Sequence, residues 1–271
     1  METGPPVLSL SMAVDRPYYQ TIRQFSDGEY KHSWHVQRAL LQWGAYGERP
    51  DLYIRSFVLL QDDIRELFKF VEPADANQSS YSLRTLELLV RTCVELEANF
   101  KSIFRANIYR RATGNANLNA KDDYFKINRS HYLSGYRVRV PYWSGVKGER
   151  RPFEAWSAGD YQPLPWYQAY NNAKHDRLYA LSEASLRHLI DAWCGLAVVL
   201  TAQFLQEDFG PGHPIITTGD GVSLLDGFEP AIGNYLSIAP PEDVPVEDRY
   251  EFDWRALLEQ DEPFVRYDYD A

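Results

Sequence analysis

The residues best suited to chemistry lie in one run, 166–177, which holds an imidazole, two amides, an ammonium and a guanidinium. The spacing predicts about three helical turns, and residues three or four apart share a helix face, so Asn171, Lys174 and His175 are expected together. A histidine can move a proton near neutral pH, and Lys174 or Arg177 can stabilise a phosphate. The group could therefore bind and transform a phosphodiester. The alternative is a structural polar network at a helix interface.

Hydrophobic periodicity predicts the helices that must position this run. The expected long helices are about 51–71, 82–109, 165–180 and 182–207. The last is apolar around most of its circumference and is expected at the centre. Cys93 and Cys194 lie in apolar helical patterns, which predicts buried free thiols. The sequence therefore predicts a mainly α fold built on a four-helix up-and-down bundle.

An insertion at about 113–164 interrupts the helices. Residues 136–140 alternate with a period of two, and 152–156 form a second extended run, which predicts a β-hairpin. The chain then divides into an N-terminal wrap with a short helix (1–48), a helical core carrying the insertion (49–209) and an irregular acidic C-terminal extension (210–271).

The net charge of −10 conceals two oppositely charged segments. Residues 101–151 contain 12 Lys/Arg and 3 Asp/Glu, whereas 206–271 contain 3 Arg and 16 Asp/Glu. Basic and aromatic side chains alternate in the first segment, a pattern that can hold phosphates while rings stack on unpaired bases. The predicted nucleic-acid-binding residues are Arg129, Arg137, Arg139, Trp143, Lys147, Arg150 and Arg151. The alternative is a solvated hairpin docked on the acidic segment.

The stretch Tyr170–His175, on the helix before the final apolar helix, resembles the signature of the HEPN superfamily. Those proteins are small helical bundles, and many are metal-independent ribonucleases of bacterial defence and toxin systems. Their motif is an arginine, commonly followed by asparagine, and a histidine a few residues later. Asn171 matches the polar residue and His175 the histidine, while Tyr170 stands where the arginine would be. Lys174 or Arg177 could substitute for that arginine, or the protein could be an inactive relative.

The resemblance covers about 49–207, chiefly as helix order, and implies a site shared by two copies at a dimer interface. The HEPN resemblance also implies RNA as the partner, with His175, Asn171, Lys174 and Arg177 as catalytic residues and with no metal or cofactor. The chain also resembles uncharacterised bacterial proteins to which no activity is attached. There are two alternatives. The protein could be a non-enzymatic interaction module that uses the same helix as a dimer interface, or it could be a small-molecule hydrolase.

Two features indicate the cellular location. The longest apolar stretch, Ala192–Leu205, is too short to span a bilayer, so no membrane association is expected. Met1–Val14 has no basic segment typical of a signal peptide. Together with the two isolated cysteines, these features predict a cytoplasmic protein.

Overall fold

The protein is mainly α. The computed structural model describes residues 13–26, 38, 40–113, 117–210, 215–217, 227–242 and 244–271. Its helices in that part of the chain are α1 (Pro50–Leu67), α2 (Leu83–Ala106), α3 (Ile127–His131), α4 (Pro165–His175), α5 (Arg177–Ala180), α6 (Leu186–Phe204) and α7 (Trp254–Leu258). The expected short helix near the N-terminus falls largely outside the described residues.

The starts of the long helices follow from local chemistry. Proline occupies the first turn of α1 and of α4, where its missing N–H has no cost. At α2 the Ser82 hydroxyl accepts from the Thr85 N–H at 3.1 Å, and the Ser82 N–H donates to the Thr85 hydroxyl at 2.7 Å. This reciprocal pair is a capping box. At α6 the Ser185 hydroxyl accepts from the His188 N–H, so this helix begins later than the predicted residue 182.

Helix α6 lies at the centre of the fold, as its composition predicts. It packs against α1, α2 and α4, and nearly all its side chains from Leu189 onward are buried. Cys93 on α2 and Cys194 on α6 are free and buried, which confirms their predicted burial. None of the helices in the described part of the chain combines the length and apolarity that a membrane crossing requires.

A small antiparallel sheet contacts α6 through its strand β1 (Arg137–Arg139). Its other strands are β2 (Glu149–Arg150), β5 (Glu229–Pro230) and β6 (Ser237–Ala239), and the order in the sheet is β2–β1–β6–β5. A separate pair is formed by β3 (Asp208–Phe209) and β4 (Ile215–Thr217). The predicted second strand, 152–156, is wrong: it contains a 3-10 turn, Glu154–Trp156. Pro152 has no N–H for the ladder, and Phe153 and Trp156 are instead buried in the core.

The acidic C-terminal segment is part of the same core. It supplies β5 and β6, and β6 pairs with β1 at Val138↔Ile238. The Tyr269 ring lies 5.0 Å from that of Phe104, and its hydroxyl is 2.6 Å from the Ser130 hydroxyl. Tyr250 is also fully buried. The described C-terminal residues are therefore built into the fold and do not form the irregular extension that the sequence predicts.

Candidate functional site

Helix α4 carries the motif, and its tyrosines face inward. The Tyr167 hydroxyl donates to the Glu97 carboxylate on α2 at 2.9 Å. Burial is the main cause that raises the pKa of the Tyr167 and Tyr170 hydroxyls above its ordinary value, and the charge of Glu97 also raises the pKa of Tyr170. Tyr170, which replaces the arginine of the HEPN signature, thus joins α4 to α2 as a buried neutral group.

The polar end of α4 is open to solvent. Lys174, His175 and Arg177 are exposed and Asn171 is half-buried. The Lys174 ammonium lies 5.3 Å from the centre of the Tyr170 ring. None of these four side chains lines a cavity described below. The groove expected around His175 is not among those cavities.

The helix also ends earlier than predicted. Asp176 has φ −143° and ψ 73°, which stops α4 at His175, and its side chain accepts from the Tyr179 N–H to start α5. Arg177 consequently lies on a separate turn instead of sharing a continuous face with the α4 residues. The neighbouring Asn172 amide donates to Glu183 at 2.8 Å and ties α4 to the segment before α6.

Basic side chains gather at a second place, around Arg150 on β2. Arg150 is 6% exposed; its Nη1 donates to the Asp191 carboxylate on α6 at 3.1 Å, and its guanidinium carbon lies 4.5 Å from the Trp143 ring centre. Lys147, Arg151 and Arg187 join Arg150 and Asp191 around a cavity of about 370 Å³, the central cavity. This is the size range in which proteins bind small molecules.

Two further cavities adjoin the central cavity. The sheet-side cavity, about 550 Å³, includes Arg137 and Glu242 and shares Arg151 with the central cavity. The helix-start cavity, about 480 Å³, includes His188 and shares Arg187 and Gln78 with the central cavity. Shared lining residues thus join the three cavities in one row, with at least one basic side chain at each.

The row also contains carboxylates: Asp191, Glu149 and Glu154 line the central cavity, Glu242 the sheet-side cavity and Asp75 the helix-start cavity. The Asp191 side chain is 18% exposed, and its partial burial raises its pKa despite the opposing effect of Arg150 and Arg187. Four hydrogen-bond donors engage the Asp75 carboxylate. By contrast, Lys147 and Arg151 are exposed and have no carboxylate partner within the described ranges. These two cations are the ones most available to an anionic ligand.

The predicted binding residues separate into two groups. Lys147, Arg150 and Arg151 line the central cavity, and the Trp143 ring covers Arg150. Arg137 lines the sheet-side cavity, where it pairs with Glu149 at 3.6 Å and with Glu242 at 2.8 Å. Arg129 and Arg139 line none of the three cavities; the Arg139 guanidinium lies 3.9 Å from the centre of the Phe228 ring instead.

The sequence-based prediction missed Arg187, His188 and Asp191 on α6. A signal was present: Asp191 is the only carboxylate in the apolar run from Leu186 to Phe204, and it lies four residues after Arg187. A single carboxylate on a mostly buried helix indicates that a basic side chain packs beside it.

The His188 ring has a defined orientation. Its Nδ1 lies 2.6 Å from the Glu183 carbonyl oxygen, which can only accept, so Nδ1 carries the proton. In the neutral ring Nε2 is then the acceptor. His188 thus presents a hydrogen-bond acceptor beside Arg187 in the helix-start cavity.

The described residues contain no group of three or more His, Cys, Asp or Glu side chains that could hold a metal ion. His32 and His35, three apart in the sequence, lie outside the described residues. Comparison with protein families, with curated proteins and with solved structures finds no match for the chain.

Proposed function

We propose that this chain is a HEPN-like, cytoplasmic protein that binds single-stranded RNA along the row of three cavities. The observation that carries the proposal is the continuity of that row: Arg151 and Arg187 each line two cavities, so successive phosphates could follow one basic path. Phosphate neutralisation by Lys and Arg supplies most of the affinity for a nucleic acid.

Exposed apolar side chains beside the row support an unpaired strand as the ligand. Tyr142 is 83% exposed and Val146 is 86% exposed, and both lie on the loop that carries Trp143 and Lys147. Aromatic rings at a basic groove stack on unpaired bases without regard to their identity. One short segment thus carries an exposed cation and an exposed ring, which supports an unpaired strand as the ligand.

A second function, metal-independent cleavage of RNA by a homodimer, is favoured by the surface at the end of α4. Leu178 is 80% exposed and Tyr179 is 81% exposed, next to the open Lys174, His175 and Arg177. A second copy could cover the apolar pair and bring two histidines together, as the HEPN resemblance implies. This second function includes the proposal that α1, α2, α4 and α6 form an up-and-down four-helix bundle, since HEPN proteins are small helical bundles. If the protein does not cleave RNA, this surface would serve only to join two copies of the chain.

Binding is tested by fluorescence anisotropy with a labelled single-stranded RNA over a range of salt concentrations. The double variant Lys147→Glu/Arg151→Glu should bind at least about 10-fold more weakly. The slope of log affinity against log salt concentration should become shallower by about two units, since about two phosphate contacts are lost. The control, Arg105→Glu/Lys121→Glu, makes the same charge change at exposed positions outside the row and should retain most of the affinity. Equal losses in both, or no binding by the unaltered protein at low salt, would contradict the proposal.

Cleavage is tested by RNA integrity after incubation with the purified protein and EDTA. If RNA is cleaved, His175→Ala should slow the reaction at least about 100-fold, the low end for general acid–base catalysis. Strict dependence on a divalent ion, or full activity in His175→Ala, contradicts this mechanism. Binding without any cleavage leaves the protein as an RNA-binding module.

A further inference from the structure

The helix-start cavity has an entirely polar lining among the described residues. Four of its seven lining residues are uncharged alcohols or amides: Gln78, Ser79, Ser182 and Ser185. The central and sheet-side cavities, by contrast, both include prolines, and the central cavity also includes Leu164 and Trp166. Alcohols and amides can each donate and accept hydrogen bonds. Such a lining suits a ligand that carries hydroxyl groups better than it suits a flat aromatic base.

Two charged side chains, Asp75 and Arg187, line the same cavity. The Asp75 carboxylate already accepts from four donors, which uses most of its accepting capacity. The Arg187 side chain is 56% exposed, and its Nε lies 3.7 Å from the Asp191 carboxylate. Arg187 lines the central cavity as well. It is therefore a cation at the boundary between the two cavities that remains accessible to a phosphate.

His188 offers a hydrogen-bond acceptor in the same lining. Its Nδ1–H donates to the Glu183 carbonyl oxygen at 2.6 Å, so Nε2 is the acceptor of the neutral ring. Glu183 does not line the cavity, so the Nδ1 edge of the ring is turned towards a residue outside it. Nε2 has no hydrogen-bond partner among the described residues, and it is not among their buried unpaired atoms. It is therefore open to a ligand that donates a hydrogen bond.

We infer that the helix-start cavity holds a ribose of the bound RNA strand, and that His188 Nε2 accepts a hydrogen bond from its 2′-hydroxyl. This inference rests on the proposed function and deepens it. Phosphate contacts along the row are the same for RNA and for single-stranded DNA, whereas the 2′-hydroxyl distinguishes the two. His188 is thus the residue that makes the site selective for RNA.

The order of groups in a nucleic acid fits the order of cavities in the row. Every internal phosphate of a strand is joined directly to a ribose on either side. A phosphate held by Arg187 at the boundary therefore brings a ribose into the cavity that Arg187 shares with His188. The 2′-hydroxyl both donates and accepts. It can donate to His188 Nε2 while accepting from a serine hydroxyl of the lining, such as that of the exposed Ser182.

The test measures the affinities of three oligouridylates of equal length by fluorescence anisotropy: the ribose form, the 2′-deoxy form and the 2′-fluoro form. The 2′-fluoro sugar keeps an RNA-like pucker but has no hydrogen to donate. The unaltered protein should bind the ribose form about 5-fold more tightly than either of the others. This ratio is equivalent to about 1 kcal/mol, the net contribution of one hydrogen bond.

His188→Ala should bring both affinity ratios towards unity, because the acceptor is lost. It should leave the affinity for the 2′-deoxy form almost unchanged, which shows that the fold and the basic row are intact. Gln260→Ala is the control, since it removes a polar side chain at an exposed position outside the row and should keep both ratios.

The outcomes separate ribose recognition from strand binding. If all three forms bind with equal affinity, the inference is overturned while strand binding stands. If the 2′-fluoro form binds as tightly as the ribose form, sugar pucker sets the preference and the inference is again overturned. If His188→Ala keeps the ribose preference, or weakens all three forms equally, the assignment to His188 is wrong. If no form binds, the proposed function fails, and the inference fails with it.

Discussion

The Asp75 carboxylate accepts a hydrogen bond of 2.7 Å from the Trp143 indole N–H. It also accepts from the backbone N–H groups of Val146 and Lys147 at 2.8 and 3.1 Å. These bonds, led by that of the indole, lower the pKa of Asp75 below its ordinary value. A turn that follows α1 thus fixes the loop that places Trp143 over Arg150. The loop thus contributes geometry as well as charge to the proposed binding site.

The same loop needs a glycine at position 145, which gives the first prediction. Gly145 has φ +120°, and a Cβ there would lie 2.4 Å from the Asp75 carboxyl carbon. Gly145→Ala should therefore displace the loop and weaken RNA binding, measured by anisotropy. Gly159→Ala is the control, because φ is +84° there but no atom lies within 4 Å. It should cost about 1–2 kcal/mol of backbone strain and leave binding intact. Equal loss of binding in both variants would contradict the role of the loop.

The second prediction concerns His131, which is buried between Ser130 and Gln20. Its Nδ1 lies 2.7 Å from the Ser130 hydroxyl and its Nε2 2.8 Å from the Gln20 carbonyl. Burial is the main cause that lowers its pKa to about 3. In the unfolded chain a histidine takes up a proton below about pH 6.5. Between these two values the unfolded chain holds more protons, so the free energy of unfolding should fall as the pH falls.

The expected loss is at most about 1.4 kcal/mol per pH unit, or about 2 kcal/mol between pH 7.5 and pH 5. Urea unfolding at several pH values measures it. His131→Gln should flatten this dependence, whereas His175→Gln, at an exposed position, should keep it. An unchanged slope in His131→Gln would show that other groups cause the acid sensitivity.

The third prediction tests the centre of the core. Phe100 on α2 is 1% exposed, and its ring lies 4.9 Å from that of Tyr124. Phe100→Ala should lower the free energy of unfolding by roughly 3–5 kcal/mol, because it removes buried contacts and leaves a void. Leu178→Ala, at a side chain 80% exposed, should change it by less than about 0.5 kcal/mol in the monomer. A small effect at Phe100 would mean that the core around α2 is packed differently.

The helices could be predicted from the sequence because their signals are local. Apolar periodicity, Ser82 and Pro165 act within a few residues, and the predicted starts of α1, α2 and α4 agree within about one residue with the structure. The sheet could not be predicted in full, since its central pair joins β1 to β6, about 100 residues later. Nor did local charge reveal that Tyr250 and Tyr269 would be buried.

The candidate site, too, could be predicted only where its residues lie close together in the sequence. The composition of 101–151 singled out Lys147, Arg150 and Arg151 as nucleic-acid-binding residues; all three line the central cavity, and the binding itself stays a prediction. Their convergence with Arg187 depends on the position of α6, which no spacing in the sequence gives. For His175 the predicted helix was correct, and the side chain is exposed at the end of that helix. Which surface faces that end depends on tertiary structure, which no spacing in the sequence gives.

The last prediction concerns the acidic C-terminal segment as a competitor for an anionic ligand. Arg137 in the sheet-side cavity is paired with Glu242 at 2.8 Å, and the Glu242 side chain is 74% exposed. Glu242→Gln should leave Arg137 paired with Glu149 alone, raise the affinity for single-stranded RNA and steepen its salt dependence. The gain should stay below about 5-fold, because an exposed ion pair contributes less than about 1 kcal/mol.

Glu247→Gln is the matched control: Glu247 is exposed, lines none of the three cavities and gives the same change in net charge. If both variants raise affinity equally, the effect comes from net charge and not from competition at Arg137. Deleting 241–271 is a poorer test, since it would also remove Tyr250 and Tyr269 from the core. That deletion should reduce cooperative folding, so any change in RNA binding would not report on competition.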